Sequence, residues 1–246
     1  MNEMIAQLMN HRSIRKYEER EVSEEQLRTI IAAGQMASSS SHVQAYSVIA
    51  VTDKEKKRKL SELAGHQKYI EECPVFLVWC ADLYRLKKAA ELQAAGRTYE
   101  DTTENFIVAT VDAALAAQNA AVAAESLGLG IVYIGGVRNR IDELSELLNL
   151  PKLVYPVFGM CVGYPAQEPA LRPRLAIDEV LHLESYDTSG SEEHIRQYDK
   201  IYSEYMRARS GGKSAADWSG QMTRRLAEPV RLHMKDFLQN RGFMKQ

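Results

Sequence analysis

Cysteine is scarce in this chain, with Cys73, Cys80 and Cys161 the three thiols in 246 residues. They are too few and too widely spaced for a disulfide framework or a zinc knuckle. Cys80 and Cys161 lie in apolar runs, where a thiol behaves as a small buried hydrophobe, and a reducing, cytoplasmic setting is expected. An excess of one charge sign is also missing: 31 basic against 33 acidic residues leave a formal charge of −2. That balance supplies no broad field for nucleic acid or an anionic membrane, so any anion site must be local. The most apolar stretch, residues 106–124, is interrupted by Asp112, Gln118 and Asn119 and falls short of the roughly 20 apolar residues of a membrane span. Residues 1–10 lack a basic segment followed by a continuous apolar one, so no signal peptide is expected. A Gly-x-Ser-x-Gly elbow, a phosphate-binding P-loop and a metal-spaced histidine pair are all absent, as are internal repeats.

What remains is long and apolar enough to hold a core unaided. Hydrophobic residues make up 45% of the chain, and a chain this size buries roughly 70 to 75% of its unfolded surface. Met4, Ile5, Leu8 and Met9 share one face of a first helix running toward His11. Ser23 with Gln26 forms a capping box ahead of Leu27, Ile30 and Ile31. Residues 46–52, 75–81, 131–134 and 157–162 read as strands, and their continuous apolarity predicts cover on both faces. Residues 54–63, 103–127 and 138–148 read as helices, the second apolar almost all round and stopped at Gly128. After Tyr164 the chain turns Pro-rich and extended. Residues 192–207 and 217–239 then read as two charged helices around a turn at 210–213. Strands alternating with helices predict a layered α+β or α/β sheet.

Several clusters could carry chemistry. Arg12 and Arg15 stand three apart at the expected end of the first helix, where a helical turn would give them one face and a fork suited to phosphate. A cationic helix end that complements the dipole is the competing structural reading. The serine run 38–41 offers hydroxyl and amide donors, as any solvated loop does. Tyr133, Ile134, Gly135 and Gly136 end a strand, and paired glycines either let a ligand ring approach the backbone or simply make a tight turn. Arg172 and Arg174 add a basic pair in extended chain.

In this order, HRSIRKY (residues 11–17), SSSSHVQAYSVI (38–49), GHQKYI (65–70), VDAALAAQNAAVAAESLGLGIVYIGGVRN (111–139), FGMCVGYP (158–165), RPRLA (172–176) and YDKIYSEYMRAR (198–209) resemble the nitroreductase superfamily. The likeness is to its NfsA-type NADPH nitroreductases and flavin reductase P group, and it spans essentially the whole chain. The resemblance implies an α+β fold with a central, mainly antiparallel sheet wrapped by helices. It implies one nitroreductase-like domain over residues 1–246, with about 187–220 a C-terminal excursion near the active site. It also implies an intertwined homodimer holding one FMN in each of two interface pockets.

By the same resemblance, His11, Arg12, Ser13, Arg15 and Arg174 would hold the FMN phosphate and the polar rim of the ring. Ser39, Ser40 and Ser41 would contribute partly from the opposite subunit. Gln67 would sit at the pyrimidine edge, and Tyr133, Ile134, Gly135 and Gly136 would present backbone to the ring. Arg172 stands where the family often has lysine, which keeps the charge and changes its reach. Arg209 would meet the 2′-phosphate of NADPH. The family chemistry needs no protein nucleophile and no metal, since FMN carries it. NADPH gives hydride to N5, and nitroaromatics, quinones or free flavin accept it in a ping-pong, oxygen-insensitive two-electron cycle. The alternative is a flavin-binding sensor or storage protein without turnover.

Overall fold

The computed structural model describes residues 2–246; Met1, where the expected N-terminal segment begins, lies outside them. Among the described residues four strands form one sheet: β1 (Tyr46–Val51), β2 (Val75–Asp82), β3 (Gly130–Ile134) and β4 (Val154–Gly163), in the order β1-β2-β4-β3. Every pairing between these strands is antiparallel. β2 is buried along its whole length. Its alternate side chains enter two different cores, Phe76, Val78 and Cys80 on one face and Val75, Leu77 and Trp79 on the other. That division explains the unbroken apolar run.

Pro156 in β4 has no amide to give the ladder, which is why proline is confined to bulges and edges. It stands at a break in register, where Trp79 pairs with Phe158 and Cys80 with Pro156, leaving Val157 as the extra residue. The Val157 carbonyl, released from the ladder, accepts from Arg138 Nη1.

One face of the sheet is covered by α3 (Lys54–Leu63), α4 (Lys68–Glu72) and α7 (Ile141–Leu147), whose Leu60, Ile70 and Leu144 are fully buried there. The other carries α2 (Glu24–Gln35) and α6 (Thr103–Ser126). α2 begins with the expected capping box: Ser23 Oγ accepts from Gln26 N and Gln26 Oε1 from Ser23 N. α6 packs through small residues, Ala113, Ala116, Ala117, Ala120, Ala121 and Ala124. Gly34 of α2 sits so near Ala116 that an added Cβ would stand 3.0 Å from its carbonyl oxygen. By length and composition α6 is the one helix among the described residues able to cross a membrane. Its alanine stripe, with Asp112 in it, is instead core. The opposite stripe, Ile107, Val111 and Leu115, is exposed by 44–49%. α1 (Glu3–Met9) buries none of its residues, so Met4, Ile5, Leu8 and Met9 add to the exposed apolar surface.

Residues up to Pro169 together with Arg231–Gln246 make one compact unit, and Ala170–Val230 makes another. The second unit holds a 3-10 turn at Ile177–Glu179, α8 (Ser191–Arg209) and α9 (Trp218–Ala227). The first unit takes the chain back with α10 (Met234–Arg241), which buries Phe237 and Leu238. The single helix expected over 217–239 is therefore two, separated where Pro229 lacks the amide a continuous helix needs. α4 and α5 (Tyr84–Leu92) were not expected: five residues are too few for a readable period, and α5 has no buried residue. The helix expected from Arg138 starts at Ile141, because Gly135–Arg138 tightens into a 3-10 turn. All three cysteines are free and buried, and burial raises the thiol pKa of Cys80 and Cys161.

Candidate functional site

Arg12 and Arg15 do not share a helical face. α1 ends at Met9, and the following segment is extended: Ser13 bridges Ile131 in parallel and Ile14 N donates to the Ile131 carbonyl at 2.8 Å. Gly130 allows this approach, since a Cβ there would collide with the Ile14 side chain. In extended chain an odd spacing puts two side chains on opposite sides. The dipole-complementing role falls for the same reason, because α1 carries no basic residue in its last turn.

Each arginine has its own surroundings. Arg12 lines a cleft of about 410 Å³ with Gln7, Asn10, Glu125, Gly130, Pro165 and Glu168. Its Nη1 donates to Glu168 Oε1 at 3.0 Å, while its Nε is buried with no partner. His11 Nδ1 lies 2.6 Å from Glu125 Oε1, which fixes the ring and leaves Nε2 available. Arg15 makes one long hydrogen bond, 3.4 Å to the Ser13 carbonyl, and sits 6.0 Å from the Tyr69 ring. It has no carboxylate partner among the described residues.

Tyr69 joins Arg15 to the next candidates. Its hydroxyl donates to Gln67 Oε1, and Gln67 Nε2 donates to the Ala64 carbonyl at 2.7 Å. Gly136 packs against this amide: a Cβ there would collide with Gln67 Nε2 and the Ala64 carbonyl, so its smallness serves the protein's own packing. Gly135 stays half-exposed beside the Arg138 guanidinium. Arg15, Tyr69, Gln67 and the Gly135–Arg138 turn thus form one contiguous row. Ile134 is buried in the core below it. Tyr133 points to the other face, edge-on to Phe158 at 5.1 Å, with its hydroxyl 3.3 Å from Gln118 Oε1. Burial raises the Tyr133 phenol above its ordinary range.

The serine loop is tied elsewhere. Ser40–His42 is a 3-10 turn, Ser39 Oγ accepts from Gln44 N at 3.2 Å, and Ser40 N donates to Asp112 Oδ1 at 2.9 Å. In the second unit Arg172 lies 6.0 Å from the Tyr202 ring, and the Tyr198 hydroxyl donates to the Pro173 carbonyl at 2.8 Å, so α8 anchors the segment carrying Arg172 and Arg174. Arg209 stands exposed in the last turn of α8, before Gly211 and Gly212, both in the left-handed region. Sequence reasoning left Tyr69, Glu125 and Asp112 out of the site. The single acid in a run of alanines was the legible signal for Asp112.

The candidate site is thus a seam beside an antiparallel sheet where Arg12 and Arg15 keep donors to spare. The family description "Nitroreductase family" matches residues 8–164, and "Nitroreductase family, C-terminal domain" matches residues 172–246. The chain belongs to the nitroreductase family. It is 44% identical to the FMN reductase (NADPH) of Bacillus subtilis over the whole of both chains. It is also 44% identical to the Cr(VI) reductase of a Pseudomonas species, over 96% of this chain and 97% of that one. The solved structure of B. megaterium NfrA1 superimposes with a TM-score of 0.97 at 46% identity, covering 99% of this chain and all of that one.

Proposed function

We propose that this chain is an NADPH-dependent FMN oxidoreductase that reduces nitroaromatics, quinones or free flavin. The observation that carries the reading is the pair of under-used guanidinium groups. Among the described residues Arg12 has a buried Nε without a partner, and Arg15 has neither a carboxylate nor a short hydrogen bond. Such donors fit a phosphate and an electron-rich ring edge, where charge-assisted bonds are strong. FMN, when bound, supplies two-electron transfer between a nicotinamide and an acceptor. His11, Arg12, Ser13 and Arg15 would hold its phosphate and rim, with Arg172 and Arg174 adding positive charge. Gln67, oriented by Tyr69, and the Tyr133–Gly136 backbone would face the ring. Cations near the ring favour its reduced, anionic form. Arg209 would select NADPH through the 2′-phosphate.

Both compact units would serve one nitroreductase-like domain over residues 1–246, with residues 187–220 as its excursion. A second copy of the chain would cover the apolar stripe of Ile107, Val111 and Leu115 and the exposed face of α1, and its residues 39–41 would complete each FMN site. The free, buried thiols support a cytoplasmic protein.

The purified protein is expected to be a yellow homodimer with noncovalent FMN that oxidises NADPH catalytically when a nitroaromatic or quinone is added. Stoichiometric flavin without NADPH turnover would return the chain to the sensor or storage reading. A colourless monomer after purification with added FMN would overturn both.

A further inference from the structure

Asp112 is a carboxylate 1% exposed in the middle of α6, between the core residues Ala109, Ala113 and Ala116. Its hydrogen-bond partners are two backbone amides: Oδ1 accepts from Ser40 N at 2.9 Å and Oδ2 from Ala45 N at 3.1 Å. Burying an ionised carboxylate is costly unless strong hydrogen bonds compensate it. An alanine would simply continue the stripe, so packing α6 does not require the acid. What the acid does is grip one loop at two points five residues apart.

That loop has a backbone that would not persist unaided. Ser41, His42 and Gln44 have φ of 46°, 58° and 51°. Each is a left-handed, non-glycine conformation that survives only where its surroundings over-determine it. Asp112 holds the amide side. The carbonyl side is held by Arg85, whose Nη1 donates to the Gln44 and Tyr46 carbonyls at 3.2 Å each, and by Asp82 N, which donates to the Ala45 carbonyl at 2.9 Å. The side chains that this frame leaves exposed include Ser40 and Ser41.

We infer that Asp112 is the positioning residue of the serine loop, its buried carboxylate holding residues 40–45 in the shape that presents Ser39, Ser40 and Ser41 to the cofactor. The inference rests on the reading above that these serines contact FMN. Asp112 touches no ligand; it acts through the Ser40 and Ala45 amides.

The test is a thermodynamic cycle on FMN binding, read by titrating apoprotein with FMN and following the quenching of flavin fluorescence. Asp112→Asn keeps the size but turns one acceptor into a donor, so one amide loses its partner. In a variant whose far-ultraviolet circular dichroism matches the wild type, the FMN dissociation constant should rise about tenfold. The visible circular dichroism of the bound flavin should change too. A Ser39→Ala, Ser41→Ala variant should also weaken FMN. Because Asp112 acts through the loop, adding Asp112→Asn to it should weaken binding by less than about twofold further. Fully additive losses, or an unchanged dissociation constant in folded Asp112→Asn, overturn the inference while the serine reading stands. Unchanged affinity in the serine variant overturns that reading, and the inference with it. Should Asp112→Asn not fold, amide exchange in the wild-type holoenzyme decides. Ser40 and Ala45 should exchange slowly and speed up when FMN is removed, and fast exchange at both in the holoenzyme sinks the clamp.

Discussion

Arg15 and Arg241 are both half-buried arginines in the first compact unit, and their donors are used very differently. Arg241 Nη2 donates to the carbonyls of Leu150 at 2.6 Å, Pro151 at 2.5 Å and Val154 at 3.3 Å, and its Nε reaches Val154 at 3.4 Å. Its guanidinium closes the loop before β4 onto the end of α10, and burial lowers its pKa. Arg15 makes a single bond at 3.4 Å, and Arg12 leaves its Nε empty. A structural arginine finds carbonyls that would otherwise lack donors. An arginine whose buried or half-buried donors stay unspent carries a desolvation penalty that a bound anion can relieve. The contrast marks Arg241 as scaffold and supports the proposed place of Arg12 and Arg15 at an anion site.

The largest expected effect is on the scaffold side. Arg241→Met strips the donor from three carbonyls and should destabilise the fold by about 3 kcal/mol. Chemical denaturation checks it, and the FMN dissociation constant of the folded variant should stay within about twofold of wild type. A comparable loss of FMN affinity would erase the contrast. Next, Arg15→Ala should weaken FMN by about 1.5 to 3 kcal/mol, roughly 10- to 150-fold in dissociation constant, with apoprotein stability changed by no more than about 0.5 kcal/mol. A drop in stability without a change in FMN binding would move Arg15 to the scaffold class.

The smallest effect sharpens the comparison with a third arginine, exposed at a helix end. Arg209→Ala should raise the KM for NADPH about tenfold, equivalent to about 1.4 kcal/mol, because an exposed pair with a phosphate is screened by solvent. Its kcat should largely survive, since binding remote from the reacting carbon is nearly uniform between ground and transition states. Steady-state kinetics with NADPH and NADH in parallel decide it. Equal losses with both nucleotides would assign the residue to the fold.

Much of the architecture is legible in the sequence alone. The Ser23 and Gln26 capping box, the arrest of α6 near Gly128 and the double-sided cover of β2 all follow from local chemistry and period. The site was less readable. The spacing of Arg12 and Arg15 suggested a helical fork, but Ser13 and Ile14 pair with Ile131, far away in the chain, and hydrogen bonding to that strand overrides the local pattern. Gly135 and Gly136 read either as a pair that admits a ligand ring or as a tight turn, and what the sequence does not show is that Gly136 also makes room for Gln67. Asp112 looked like an interruption of an apolar run and is the anchor of a strained loop.

By itself the sequence determined the elements, because capping, side-chain period and apolar runs act over a few residues and need no partner from elsewhere. The family resemblance likewise rested on linear motifs. Only the tertiary structure decided which arginines keep free donors, which glycine faces the interior and what the buried acid of α6, Asp112, holds. Those outcomes depend on groups far apart in the chain that meet only after the sheet closes, such as Arg12 with Glu168, 156 positions on, and Ser40 with Asp112, 72 positions on. A donor's fate is set by whichever acceptor arrives next to it, and linear spacing carries no record of that.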